Sequence, residues 1–396
     1  MSASILHRRG DSATAPRVRG AVSGDTCIGR QVYTERARCA SSYWLTLLKS
    51  ILVVIAGSVA LIALMLALLL AGGYPVQTAL FALWSGSVGS WYALTSATLV
   101  RAVPLMVTGC AVAVAFRAGV FNIGVEGQFL AGAAAGTAVA LALPSGGVLT
   151  ALTALGAGIV AGGLWAGIAA VLRARFGVLE VISTIMLNFV ALHAVSYLVR
   201  GPLQEPTHVY PQTSTIAESI QLARIPGAGR LHVGVLLAVA ILLAGGWMFR
   251  HTAAGFRLLA VGENPAAAES AGLINVARTT QRVFVASGAL AGFAGAVEVL
   301  GVTYALYENI SPGYGFTAIA VALLAGLDPW RVFFSATLFA ALEAGAGAMQ
   351  RDANVPSALV SVIEALLILA VIAAQTLRWR ARRSSAVVDT PLEVSR

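Results

Sequence analysis

Residues 148–172 read VLTALTALGAGIVAGGLWAGIAAVL, a run without one charged side chain that ends at Arg173 and Arg175. An α-helix rises 1.5 Å per residue, so about 20 apolar residues cross the ~30 Å hydrocarbon core of a bilayer. This run is long enough to do so, and nothing in it requires water. The whole chain has the same character. Of its 396 residues 58% are hydrophobic and 11% charged, with a mean hydropathy of +0.83. Ordinary soluble domains carry about 25% charged residues. The surface of a soluble protein cannot be covered with so little charge, so the chain reads as an all-α, polytopic membrane protein.

Similar runs place ten predicted spans at 50–71, 93–115, 119–143, 148–172, 179–199, 231–249, 281–301, 314–327, 331–349 and 357–377. The eighth is short for a full crossing and reads as a tilted or broken helix buried against its neighbours. Charge fixes the expected orientation. Residues 1–49 hold Arg8, Arg9, Arg17, Arg19, Arg30, Arg36, Arg38 and Lys49 against Asp11, Asp25 and Glu35. Residues 378–396 hold Arg378, Arg380, Arg382, Arg383 and Arg396 against Asp389 and Glu393. These ends account for nearly all of the net charge of +9, so the pI near 10.0 is no sign of a nucleic-acid-binding surface. With the ends in the cytoplasm, alternation through ten spans also puts Arg117, Arg173, Arg175, Arg250, Arg257, Arg278 and Arg331 inside, as positive-inside sorting requires. The loop 201–230 falls outside.

The expected organisation is therefore a disordered basic cytoplasmic tail (1–44), a five-helix half (45–200) and an extracytoplasmic loop (201–230). A second five-helix half (231–377) with a cytoplasmic loop at 250–278 and a second basic tail (378–396) follow. Short matches relate the halves: Phe129-Leu130-Ala131-Gly132 to Leu323-Leu324-Ala325-Gly326, and Val181-Ile182-Ser183 to Leu359-Val360-Ser361. Two copies with an odd number of spans are inverted, an arrangement that transporters use to build a central pathway. Steps such as Gly132/Gly136 and Gly158/Gly162 are read as helix-packing faces, because close backbone approach holds helices together in lipid.

Polar groups in this apolar body cost about 2.5–3.5 kcal/mol each when charged at a helix centre, and so mark cavities, partners or membrane edges. Glu180, Ser183, Thr184 and Asn188 make one stripe on the fifth span, and Ser357, Ser361 and Glu364 make another on the tenth. The two suit a water-lined route between the halves, or a pair of satisfied interhelical hydrogen-bond networks. The stretch Phe116–Gln128 is irregular, with Asn122, Glu126, Gln128 and three glycines at membrane depth. It reads as a broken helix beside the pathway, or as a helix start capped by Asn122 with Glu126 at the positive end of the dipole. Arg101 with Pro104 suggests a kink, with Arg101 paired to Glu126 or Glu298. In the cytoplasmic loop, Asn264 is a favoured N-cap, Pro265 suits the first helical position and Gly272 a stop. The helix of about two turns so defined, with Ala268 at its centre, is too short to stand alone and needs something to dock on.

Several chemistries are excluded. Lys49, preceded by Leu48, is the sole lysine, so there is no P-loop; the aspartates and histidines form no metal-ligand pattern, and His193 reads as a packed polar residue. Cys27, Cys39 and Cys110 suggest neither a disulfide framework nor a zinc site.

Three stretches resemble permease subunits of bacterial ABC-type importers, in the branched-chain amino acid, ribose and nucleoside permease superfamily, and within it the nucleoside and simple-sugar branch. They are Arg101-Ala102-Val103-Pro104-Leu105 leading into Phe116–Gln128, the loop 255–273, and Ser311–Leu324. One departure is Ala266, where the family often has a basic residue. The resemblance implies a type II importer fold in the bacterial cell membrane. It also implies that Gly255, Phe256, Glu263, Asn264, Pro265, Ala268 and Gly272 form a coupling segment for a partner ATPase. Further implied partners are a second permease and an extracytoplasmic solute-binding lipoprotein. ATP and Mg would be used by the ATPase, with no cofactor on this chain. The alternative is an ion-coupled secondary transporter in which Glu126, Glu180 or Glu364 carries protons; a scaffold without transport is a third.

Overall fold

The computed structural model describes residues 63–272 and 274–356, together with residue 59 and scattered positions between 359 and 369. The predicted tails, most of the first and tenth spans, Ser357 and Glu364 lie outside the described residues. Within them, residues 63–71 are helical and eleven further helices follow, besides a single 3-10 turn at Glu218–Ile220. These are α1 (Val76–Ser87), α2 (Trp91–Arg117), α3 (Val125–Ala142), α4 (Gly147–Phe176), α5 (Glu180–Arg200) and α6 (Gly234–His251). Then come α7 (Ala253–Glu263), α8 (Pro265–Ser270), α9 (Val276–Thr303), α10 (Tyr314–Leu324) and α11 (Pro329–Asp352).

Among the described residues seven helices (α2, α3, α4, α5, α6, α9 and α11) are long and apolar enough to span a membrane. Each coincides with a predicted span, and α10, at 11 residues, is the short one. Local signals set the boundaries. Asp328 caps α11 by accepting from Trp330 N at 3.1 Å, ahead of Pro329 at the first position. Asn275 caps α9, and Gly177, at φ +65°, closes α4 in the left-handed conformation glycine tolerates. The sequence reading left α1 unassigned, because twelve residues make neither a crossing nor a turn. It packs on α11 through Ala79, Ala82, Ala348 and Met349.

α2 is buried on almost every side, which is why it is apolar all round, and α6, α9, α10 and α11 surround it. The α-helix runs through Pro104, and a π-helical turn stands just before it at Leu94–Leu99. A second π turn, Val299–Thr303, ends α9.

α3, α4 and α9 form the tightest group, held backbone to backbone. A Cβ on Gly132 would strike the carbonyl of Gly292, one on Gly162 the carbonyl of Gly288, and one on Gly295 the carbonyl of Phe129. The small-residue faces are thus packing faces, as the sequence predicts. Outward-facing Leu164, Phe189, Leu236 and Trp247 are exposed, as a lipid-solvated surface requires.

Residues 201–233 are not a free loop. Thr213 N donates to Leu306 O at 2.8 Å, Ile216 N to Tyr304 O at 2.8 Å and Leu222 N to Leu300 O at 2.9 Å. With Ile216, Ile220, Leu231 and His232 buried, the segment closes one end of the bundle, opposite α7 and α8.

Candidate functional site

At the α7–α8 end the sequence-predicted helix is present. Asn264 Oδ1 accepts from Ala267 N at 3.0 Å, Pro265 takes the first position, and Gly272 follows the last turn with φ +70°. Of the residues assigned to this segment, Phe256, Glu263, Asn264, Pro265 and Gly272 are exposed, whereas Gly255 and Ala268 are buried. The turn is not isolated from the bundle. A Cβ on Gly262 would strike the carbonyl of Arg117, so α7 lies directly on the turn that ends α2. Leu258 packs nearby with Ala115, Ala118, Val120 and Phe284.

That turn leads into the irregular stretch, whose polar side chains are spent on one another. Asn122 Nδ2 donates to Gln128 Oε1 at 2.9 Å and to Ser287 Oγ at 3.0 Å; Asn122 Oδ1 accepts from Gln128 Nε2 at 2.9 Å and Gly124 N at 3.0 Å. Ser287 Oγ in turn donates to Ala111 O at 2.9 Å. Asn122 is therefore not the N-cap of α3: Gly124 holds that position, and Asn122 bonds to it from outside. Asn188 clasps the same stretch, accepting from Gly127 N at 2.8 Å and donating to Ile123 O at 3.0 Å. Ser183 and Thr184 donate to the carbonyl of Glu180 on their own helix, and Glu180 pairs with Arg173 and accepts from Phe121 N at 3.1 Å. Asn188 and Glu180 thus tie the polar stripe of α5 to the irregular stretch, while Ser183 and Thr184 are satisfied within α5.

Glu126 does sit in the first turn of α3, where the dipole favours it, but it is not paired with Arg101. Its Oε2 accepts from Gly315 N at 2.6 Å, joining the start of α3 to the start of α10. The two helix starts touch so closely that a Cβ on Gly315 would strike Glu126 N. Arg101 instead donates to Ala97 O at 3.2 Å and faces a cavity.

This cavity, about 690 Å³, lies towards the end closed by residues 201–233. Arg101, Arg230, Glu298, Tyr307, Asn309, Tyr314, Glu343, Gln350 and Ser361 contribute to its wall. Both π turns border it, through Ser96 in one and Val302 and Thr303 in the other, a placement common at functional sites. Its size falls in the ~300–1,000 Å³ range of small-molecule sites. Of the residues first assigned to a pathway, Ser361 is here, while Asn122, Glu126, Gln128, Glu180, Ser183, Thr184 and Asn188 are not among its lining. Sequence reasoning named Arg101 and Glu298 as charges at membrane depth but missed Glu343, a carboxylate within an equally apolar span, by the same criterion that found Glu126. Nothing local marked Tyr307 and Asn309, which arrive from the connection between α9 and α10.

Beside the cavity's end, Arg200 Nη2, at the last residue of α5, pairs at 2.6 Å with Glu308 of the connection between α9 and α10, and Ser196 Oγ also donates to that carboxylate. These bonds pull the Glu308 carboxyl down to about 2.

An apolar bundle pierced by a polar, charged cavity, with a docking-size helix at the far end, defines a multi-pass membrane transport subunit. Residues 94–372 match the family described as branched-chain amino acid transport system / permease component, and the chain belongs to it. It is an ABC-type permease subunit and not an enzyme. It is similar to the guanosine ABC transporter permease protein NupP of Bacillus subtilis, at 38% identity over 79% of this chain and 90% of that protein. It is also 38% identical to the glucose ABC transporter permease protein TsgB13 of Haloferax volcanii, over 77% and 88% of the two chains. The nucleoside ABC transporter permease protein NupB of Lactococcus lactis is 34% identical over 67% and 75%.

Proposed function

We propose that this subunit forms the route by which an ATP-driven importer in the bacterial plasma membrane takes up a nucleoside or, failing that, a simple sugar. The observation that carries the proposal is the 690 Å³ cavity, whose wall offers carboxylates, guanidiniums, amides and phenols inside a lipid-facing bundle. Relatives named for guanosine, nucleosides and glucose support the same solute class. The chain carries ten spans in two inverted halves, with both ends in the cytoplasm. The positive-inside count and the meeting of the two glycine-rich helix starts at Glu126 and Gly315 support this arrangement.

In this scheme a partner ATPase, which uses ATP and Mg, engages α8. Its movement passes through Gly262 to the turn at 117–119, and through Glu126 to α10 and Tyr314 on the cavity wall. An extracytoplasmic lipoprotein delivers the solute at the 201–233 end, and a second permease completes the membrane unit. The deciding experiment is uptake of labelled guanosine by uptake-deficient cells expressing the subunit with its partner genes, with glucose as competitor. Uptake lost on ATP depletion supports the proposal. Uptake that survives ATP depletion but is abolished by an ionophore would replace it with an ion-coupled transporter, and no uptake above the control would end it.

A further inference from the structure

Glu298 stands at the last α-helical residue of α9, where the π turn Val299–Thr303 begins. It borders the cavity, is 5% exposed, and its Oε2 is buried with no hydrogen-bond partner. A buried carboxylate oxygen without a donor is costly, and natural proteins keep few of them without a purpose. The nearest explanation, an ion pair with Arg101, does not hold: no such pair forms among the described residues, and Arg101 donates to Ala97 O. The charged groups acting on Glu298 are Arg101, Arg230 and Glu343. Two arginines and two glutamates share this wall. What Glu298 Oε2 lacks is a hydrogen-bond donor.

We propose that Glu298 is the specificity-determining residue of this cavity, its carboxylate accepting hydrogen bonds from the adjacent hydroxyls of a neutral solute. The proposal rests on the reading of the cavity as the solute's route. A carboxylate offers two oxygens with about four acceptor sites, which two neighbouring hydroxyls can fill together and one hydroxyl cannot. Tyr307, half-exposed on the same wall, supplies a flat face for the rest of such a molecule.

The test uses the assembled importer in membrane vesicles, with guanosine and 2′,3′-dideoxyguanosine as probes, each at a concentration that saturates the delivering lipoprotein. The wild-type subunit is expected to import guanosine at least about tenfold faster than the dideoxy compound, the scale of a hydrogen bond to a charged group. In Glu298→Gln that ratio falls towards one. Glu298→Asp, which keeps the charge and shortens the reach, retains a ratio above one. An unchanged ratio in Glu298→Gln, with guanosine still imported, would overturn this inference and leave the importer reading intact. A parallel fall of both rates would assign Glu298 a structural role instead. Failure of the wild type to import either compound would remove the importer reading and the inference together.

Discussion

Replacing Asn122 with leucine separates the two roles that its position allows. The side chain is fully buried and takes part in four hydrogen bonds, two with Gln128 and one each with Ser287 and Gly124. Leucine has a similar size and makes none. Both ends of the Gln128 amide and the Gly124 N–H lose a partner, and Gln128, 1% exposed, has no water to turn to. Ser287 keeps its bond to Ala111 O. Interhelical hydrogen bonds in bilayers average about 0.6 kcal/mol, which makes four of them worth about 2 kcal/mol. Three stranded groups at about 1 kcal/mol each give about 3 kcal/mol. The expected loss is therefore about 2–4 kcal/mol, read from reversible unfolding of the purified subunit in mixed micelles as denaturing detergent is added. Replacing both amides removes donors and acceptors together. The double variant Asn122→Leu/Gln128→Leu should thus cost less than the two single variants combined, by about 0.5–3 kcal/mol. Strictly additive costs would refute the reciprocal pairing. A fully stable Asn122→Leu subunit that no longer imports would refute the structural role and return Asn122 to the solute's route.

Three further outcomes follow from the same geometry. Ala268→Pro removes the bond from Ala268 N to Asn264 O, 3.0 Å long, and a proline inside a helix costs about 3 kcal/mol. Uptake should vanish while membrane insertion survives, and normal uptake with normal ATPase stimulation would sink the assignment of α8. Gly132→Ala drives a methyl into the Gly292 carbonyl and should lower stability by about 1–3 kcal/mol, whereas Gly156→Ala, which meets nothing within 4 Å, should not. Equal unfolding midpoints for the two would contradict the backbone contact between α3 and α9. The Glu308 carboxyl is held at about 2, below its ordinary 4.5, so the Arg200–Glu308 clamp is at full strength above pH 4.5 and is lost as pH falls towards 2. Hydrogen-exchange protection of residues 204–216, taken relative to the intrinsic rate at each pH, should fall as pH drops across that window in the wild type and show no such step in Glu308→Gln; matching profiles would count against the clamp.

How much of this was legible depended on whether a signal was local. Asn264, Pro265 and Gly272 announced α8 because capping, φ restriction and left-handed backbone are properties of single residues and their near neighbours. The stripe Glu180–Thr184–Asn188 was legible as a face, since helical periodicity aligns it. What that face touches was not, because Gly127 and Ile123 are more than 60 residues away in the chain. Helix α1 went unseen for a related reason: its length matches neither a span nor a turn, and its place depends on Ala348 and Met349 of α11.

The sequence by itself determined that the chain lives in lipid, where most spans lie, and that a short capped helix sits on one loop. Each is a sum over residue transfer energies or a nearest-neighbour preference. Only the tertiary structure decided which polar groups satisfy one another and which share the wall of one cavity. Asn122 and Gln128 quench each other, while Arg101, Glu298, Tyr307 and Glu343, drawn from three helices and one connection, converge on one cavity. A hydrogen bond reaches about 3 Å, and only folding brings residues so distant in sequence within that reach.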